Sequence, residues 1–395
     1  MAKSQGTVYH SGYYRFSRLL RALRWIPLVT LVLFALVIFV FFGRDVTPEH
    51  FRYFLNNFDF SENASDTAGD VFYYDADADA SFGFVSGGFV TLTDSRVFVT
   101  DRSSSTTLSA YHGYRSPQGA YSDRYMVIYD RAGSSATVYN AFSALKSFTY
   151  EGTVTDAVAS DAGVFAIAVS DVSGYYTKIY VYGEDFSSLR VVSKYKYLVD
   201  MALDGGGKTL YLLSRYAEDG VILHELQAID LEKGKAAYTV TLTESAYMLS
   251  LEGEEVILLA DGAVLRYREG ALTSSAAFSF PVYKSGMISG GVYLVSGGAD
   301  ARREEFYFYG DGGTVQYPLS SPLVDCESDG EYLYLFCEED FYVIQKKTGL
   351  CHELGALREK EAALTLVAGK NAVYFAGAFR ADRLDGKALI ENIGK

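Results

Sequence analysis

A chain of 395 residues, 49% of them hydrophobic, can hold one large domain or several ordinary ones and is too apolar for wholesale disorder. Its net charge of −14 is unevenly spread: residues 1–43 carry Lys3, Arg15, Arg18, Arg21 and Arg24 and no acid, which leaves 30 basic against 49 acidic residues in the remainder. Such an acidic body repels phosphate backbones and anionic headgroups, so nucleic acid is excluded as a partner.

In chain order, residues 1–24 read as a basic segment. Trp25 to Gly43, WIPLVTLVLFALVIFVFFG, then holds no charged side chain. At helical rise these positions cover roughly 28 Å, close to the hydrocarbon thickness of a bilayer. The competing reading is a cleaved signal peptide. The apolar run is too long for one, and GRDVTPEH after it lacks a small-x-small cleavage pattern. Residues 25–43 are therefore expected to form one transmembrane helix. The arginines before it put the N-terminus in the cytoplasm and the acidic body outside the cell membrane.

Residues 44–70 open with Thr47-Pro48-Glu49, an N-cap followed by a proline suited to the first helical position. Phe51, Phe54, Leu55 and Phe58 recur at helical spacing, on a helix lying either on the membrane or on the domain. SENASDTAGD (61–70) is a polar linker, within which Asn63-Ala64-Ser65 matches a glycosylation sequon.

The whole chain holds 33 Tyr, 26 Phe and only six Pro, and from residue 71 onward the pattern turns to strands. One signal recurs, a Gly or Asp turn followed by an apolar run, centred near Gly88, Asp123, Gly163, Gly206, Gly253, Gly290, Gly330 and Gly369. Spacings of 35 to 47 residues mark a repeat architecture. Within one unit TVTDAVAS, VFAIAVSD, TKIYVYGED and LRVVSKY supply four strands joined by short turns, the content of a propeller blade. The predicted fold is an all-β propeller of eight four-stranded antiparallel blades over 71–395, with seven as the alternative count.

The last unit is short. AALTLVAG and AVYFAGAF are clear strands, but RADRLDGKALIENIGK offers one more at best. Since an unpaired edge is unfavourable, VFYYDADA (71–78) is predicted to close the ring as the fourth strand of the last blade. That bears on Asp75, Asp77 and Asp79. On a strand they share one face, expected to be solvated. As a calcium loop starting at Asp75 they would need Gly and Glu where Ala80 and Ser86 stand.

This layout of basic N-terminus, single span, amphipathic helix, FYYDADA-like strand and forty-residue β repeats resembles an uncharacterised family of membrane-anchored propeller-like proteins of Gram-positive anaerobic bacteria. The resemblance implies a fold and transfers no functional residue. Locally, LQAIDLEKGKAAYTV (226–240) resembles the repeat of quinoprotein-type propellers and of outer-membrane assembly propellers. That likeness implies a turn shaped by Asp230, Gly234 and Lys235. Tyr238 stands where a docking tryptophan is expected, and the chain's single Trp is Trp25. A quinone cofactor is therefore not expected.

No constellation in the sequence carries chemistry. His10, His50, His112, His224 and His352 form no close metal spacing, and neither a nucleophile elbow nor a phosphate-binding loop occurs. Acids beside glycines read as turn residues, although a carboxylate pair could assemble across blades. Cys326, Cys337 and Cys351 fall on the first, second and fourth strands of the seventh repeat. They are expected to be buried small hydrophobes, with a disulfide or a zinc site shared with His352 as alternatives. No catalytic, cofactor or metal residue is assigned. The expected function is an extracytoplasmic binding or scaffolding module for an envelope protein, peptide or glycan. A carboxylate-based hydrolase or lyase, and a quinoprotein-like oxidoreductase, are the alternatives.

Overall fold

The computed structural model describes residues 29–30, 32–33, 71–74, 80–297, 304–310, 313–354, 365–369 and 372–393. In the N-terminal unit, Val29, Thr30, Val32 and Leu33 are helical with exposed side chains. No helix among the described residues is long and apolar enough to cross a membrane. The rest of the 25–43 span, the 44–70 segment and Asp75, Asp77 and Asp79 lie outside the described residues.

The second unit forms eight antiparallel sheets of four strands each. Seven blades are continuous in sequence: Ser81–Tyr111, Pro117–Thr149, Thr153–Lys194, Tyr197–Leu242, Ala246–Ala277, Val282–Leu319 and Leu323–Glu353. Blade 8 combines Thr365–Gly369, Ala372–Ala376 and Arg380–Leu384 with Val71–Tyr73 from the other end of the chain. The innermost strands meet in sequence around the ring, and that of blade 8 meets that of blade 1, so the wheel is closed.

The sequence pattern explains the layers. Second strands such as Gly88–Leu92 and Glu255–Ala260 are buried almost throughout, because both sheet faces pack on neighbouring blades. Outer strands such as Ala271–Ala277 are largely exposed. Acids beside glycines shape the turns: Asp329 Oδ1 accepts the N–H groups of Glu331 and Tyr332, and Asp230 Oδ1 accepts that of Lys233. Gly234 holds φ +68° in the latter turn, where its N–H donates to the Asp230 carbonyl.

The predicted closing strand forms over Val71–Tyr73 and pairs with Arg380–Leu384 in the register Phe72↔Ala381. Phe72 is 1% exposed and its ring lies 5.5 Å from that of Phe89 in blade 1. The C-terminal tail supplies the one strand expected of it, Arg380–Leu384, and adds an element that was not expected. After its one strand, Gly386–Ile393 is an α-helix with Asp385 Oδ1 accepting the Ala388 N–H as its cap. Leu389 and Ile390 pack into the core of blades 7 and 8, which covers apolar surface that a short final blade leaves open.

Other aromatics dock blades where a tryptophan would. Phe148 on the last strand of blade 2 lies 4.5 Å from Tyr182 of blade 3, and Tyr317 of blade 6 lies 5.4 Å from Tyr342 of blade 7. Tyr238 packs from blade 4 into the core of blade 5, over Gly270, where a Cβ would come within 3.0 Å of its ring. These contacts account for much of the Tyr and Phe content.

Candidate functional site

Strand direction gives the ring two faces. Among the described residues the upper face carries the first-to-second turns, the third-to-fourth turns of the blades continuous in sequence, and the C-terminal helix. The lower face carries the second-to-third turns and the connections between blades. Val71 lies toward the upper end of its strand and Tyr73 toward the lower, because Tyr73 pairs with Arg380 beside the lower turn of blade 8.

Between the faces runs the axial channel, lined by innermost strands that share a device. In blades 3 to 7 each has a one-residue bulge, falling between Val154/Asp156, Leu198/Asp200, Ala246/Met248, Val282/Lys284 and Leu323/Asp325. A bulge leaves a backbone N–H without its ladder partner. Asp156, Asp200 and Asp325 satisfy it with Oδ1, each accepting the following residue's N–H at 2.8 Å. The second oxygens of Asp200 and Asp325 reach across blades. Asp200 Oδ2 accepts the Leu249 N–H of blade 5 at 2.7 Å, and Asp325 Oδ2 accepts the Leu366 N–H of blade 8 at 2.9 Å and the Thr365 hydroxyl. Lys284 does the converse, donating Nζ to the carbonyls of Leu323 (2.9 Å) and Val324 in blade 7.

These acids were not singled out from the sequence. The signal was an apolar residue, then Thr or Val, then Asp, opening blades 3, 4 and 7. Burial, and then the charge of Asp200, pushes the Asp156 carboxyl up to about 6; burial also raises Asp200. Glu327, two residues beyond Asp325, is pushed up to about 8 by burial and secondarily by Asp325.

The lower face has a different chemistry. Eight aromatic side chains among the described residues are exposed: Tyr73, Tyr111, Tyr176, Tyr195, Tyr197, Tyr247, Tyr283 and Phe379. All eight lie at lower strand ends, lower turns or blade connections. Tyr176 stacks on Tyr197 at 4.5 Å and Tyr175 lies 4.6 Å from Tyr195, bridging blades 3 and 4 with flat aromatic surface. Beside them the longest hairpin, Thr209–Glu218 with Val221–Asp230, ends in Val221 and Ile222, 57% and 67% exposed. Between blades 5 and 6 the same face opens a pocket of about 320 Å³ lined by Tyr247, Phe278, Phe280, Pro281 and Val282 among others.

Residues 73–259 match the model of a family of unknown function, DUF5711. No curated protein matches the chain. Among solved structures it is similar to BamB from Moraxella catarrhalis, with TM-score 0.53 and 13% identity over 79% of this chain and 98% of that one. It is similar also to Sqt1 from Saccharomyces cerevisiae, with TM-score 0.57 and 13% identity over 79% and 98%. The WD40 domain of SCAP from fission yeast gives TM-score 0.53 and 12% identity over 81% and 98%. At these identities the likeness is one of fold: an all-β propeller.

The remaining candidates are spent on structure. His112 Nε2 lies 3.0 Å from the Thr93 carbonyl, and its Nδ1 accepts the Tyr114 N–H. His224 is buried in blade 4 with Nδ1 accepting the Ala246 N–H at 3.3 Å, and His352 sits on the last strand of blade 7. His10 and His50 lie outside the described residues. Cys326, Cys337 and Cys351 occupy the predicted strands as free thiols, the first two buried. Leu323 pairs with Cys337 and Leu335 with Cys326, so the two are not opposed across the ladder. Burial raises all three, Cys337 to about 12 and Cys351 to about 11, which leaves little thiolate for nucleophilic work. No group of His, Cys, Asp or Glu among the described residues is arranged to hold a metal ion.

Proposed function

We propose that this protein is a membrane-anchored, extracytoplasmic β-propeller that acts as a non-catalytic scaffold and docks an envelope protein on its lower face. The observation that carries this reading is the confinement to that face of all eight aromatics exposed among the described residues. Tyrosine offers large, rigid contact area with a polar tip, and aromatic anchors in desolvated pockets dominate protein interfaces. The 320 Å³ pocket beside Tyr247 is of a size to seat one apolar side chain of the partner. The anchoring half of the reading rests on the uncharged run from Trp25 to Gly43 and the arginines before it.

Proximity labelling from the full-length protein in intact cells tests the scaffold. One reproducible envelope protein is expected, with recovery falling by roughly tenfold in a Tyr247→Ala/Tyr283→Ala double variant, as loss of interface anchors implies. Leu272→Ala, on the outer strand of blade 5, serves as the control and should change nothing. Equal recovery from the double variant would remove the lower face from the interaction. Protease added to cells without an outer barrier should digest the propeller from outside; complete protection would reverse the orientation.

A further inference from the structure

Of the side chains lining the pocket between blades 5 and 6, only Asp261 is charged. Asp261 and Gly262 form the two-residue turn of blade 5, beyond the pair Ala260↔Ala263, and turn chemistry alone accounts for an acid there. It does not account for what surrounds that acid. Phe278, Phe280 and Pro281, from the connection into blade 6, wall the same opening. Phe280 is held in place by Tyr307, whose ring stacks on it at 4.1 Å. The exposed carboxyl of Asp261 therefore borders a preformed apolar seat.

The charge around that seat is one-sided. Among the described residues, the lower turns and connections of blades 5 to 7 carry Glu244, Asp261, Glu304, Glu338, Glu339 and Asp340. Lys284, the cation beside them, is committed to two carbonyls of blade 7. Residues 298–303, between the second and third strands of blade 6, contribute Asp300, Arg302 and Arg303 by sequence and leave the sector acidic. Some of these acids are spent on structure: Glu304 accepts the Leu323 N–H at 2.9 Å, and Asp340 accepts the Ser321 hydroxyl at 3.2 Å. Asp261, Glu338 and Glu339 are exposed, and no ion pair holds their carboxyl groups among the described residues. Tyr283 connects the two groups. It follows the pocket-lining Val282, and Cys337, which opens the blade 7 turn, lies close enough to act on its hydroxyl. Blades 3 and 4 differ, bringing Lys194, Lys196 and Arg215 as well as Glu218 and Asp219 to the lower face. The acidity thus belongs to the pocket's sector rather than to the whole face.

We infer that the partner segment seated in this pocket is basic: one aliphatic or aromatic anchor flanked by lysine or arginine. The inference rests on the docking face proposed above and names the chemistry of what docks there. The anchor buries itself against Phe278, Phe280 and Pro281, while flanking cations face Asp261 on one side and Glu338 and Glu339 on the other. Each exposed pair adds little affinity, but their summed field speeds encounter and rejects acidic competitors. A second copy of this sector, or an anionic lipid surface, brings like charge to the same acids and is disfavoured.

Titration calorimetry on the full-length protein in detergent, at about 50 mM salt, tests this with acetylated and amidated peptides. Lys-Lys-Phe-Lys-Lys carries both features, Lys-Lys-Ala-Lys-Lys lacks the anchor, and Glu-Glu-Phe-Glu-Glu reverses the charge. The first is expected to bind, the second at least about tenfold more weakly, and the charge-reversed peptide not measurably. Raising salt to about 200 mM should weaken the first several-fold. Asp261→Asn keeps a residue suited to a hairpin turn before glycine and should weaken binding roughly threefold. Adding Glu338→Gln and Glu339→Gln should bring the loss to about tenfold. Silence from Lys-Lys-Phe-Lys-Lys, equal binding by the charge-reversed peptide, or undiminished binding by the triple variant would overturn the inference. The docking face is judged separately. Unchanged labelling by Tyr247→Ala/Tyr283→Ala removes the face itself, whereas lost labelling with equal binding of the two Phe peptides leaves the face and removes only its charge preference.

Discussion

Glu327 carries a pH dependence opposite to that of most acidic side chains. Its carboxyl is pushed from near 4.5 up to about 8, first by burial and then by Asp325, so between those values the folded state holds more protons than the unfolded chain. Its contribution to stability is therefore fully present below about 4.5 and is lost as pH rises through about 8. Glu327→Gln cannot ionise. At pH 9 the variant should be more stable than wild type by about 1–3 kcal/mol, and near pH 4 the two should agree within about 0.5 kcal/mol. Denaturant unfolding at both pH values measures this, and a difference independent of pH would refute the assignment. Alternation in LVDCES places Asp325 and Glu327 on one face of a strand. That Glu327 lines one cavity with Asp123 and Asp161 depends on blades distant in sequence, and no local pattern encodes it.

Among the elements, the innermost strands depend on polar staples as well as on packing. Asp200 satisfies two backbone donors, its own strand's Met201 N–H and the Leu249 N–H of the next blade. Asp200→Ala leaves both without an acceptor and should cost about 2–4 kcal/mol; Asp200→Asn keeps one acceptor oxygen and should cost less than half as much. Equal losses in the two variants, by denaturant midpoint and slope, would mean that the space filled by the side chain matters rather than its oxygens. Strand identity and order were legible because apolar runs bounded by Gly and Asp turns report sheet structure locally. The bulges were not, since one extra residue in a strand leaves the hydrophobic pattern nearly intact while re-aiming a side chain. The C-terminal helix was missed for a related reason. GKALIENI is too short to declare a helical period, and Leu389 and Ile390 find their apolar partners only on the finished ring.

For the whole molecule, the forty-residue period led to a wheel because such units cannot bury their faces alone. Which tyrosines dock blades and which face solvent was not legible. Tyr238 and Tyr247 lie nine residues apart in similar alternating strands, yet one packs into the next blade and the other is 52% exposed. That division arises only from the ring's curvature and the end of the strand on which each side chain sits.

Closure is the seam on which the wheel depends. Seven blades are each stitched by consecutive hairpins, whereas blade 8 relies on the three residues Val71–Tyr73 to join the chain's two ends. Phe72 fills that seam, 5.5 Å from Phe89 and 5.6 Å from Tyr374. Truncating the fully buried Phe72 should cost about 3–5 kcal/mol of global stability, and the docking variant Phe148→Ala, at a half-buried ring, a smaller amount. Their kinetics should differ. Opening between blades 8 and 1 breaks only the short closing strand, so Phe72→Ala should speed proteolysis near Val71 and Arg380 under native conditions. Phe148→Ala, between blades joined by one short connection, should leave that rate near wild type. Limited proteolysis followed by mass analysis of the fragments decides the matter, and equal cleavage at the seam in both variants would show that the ring opens elsewhere.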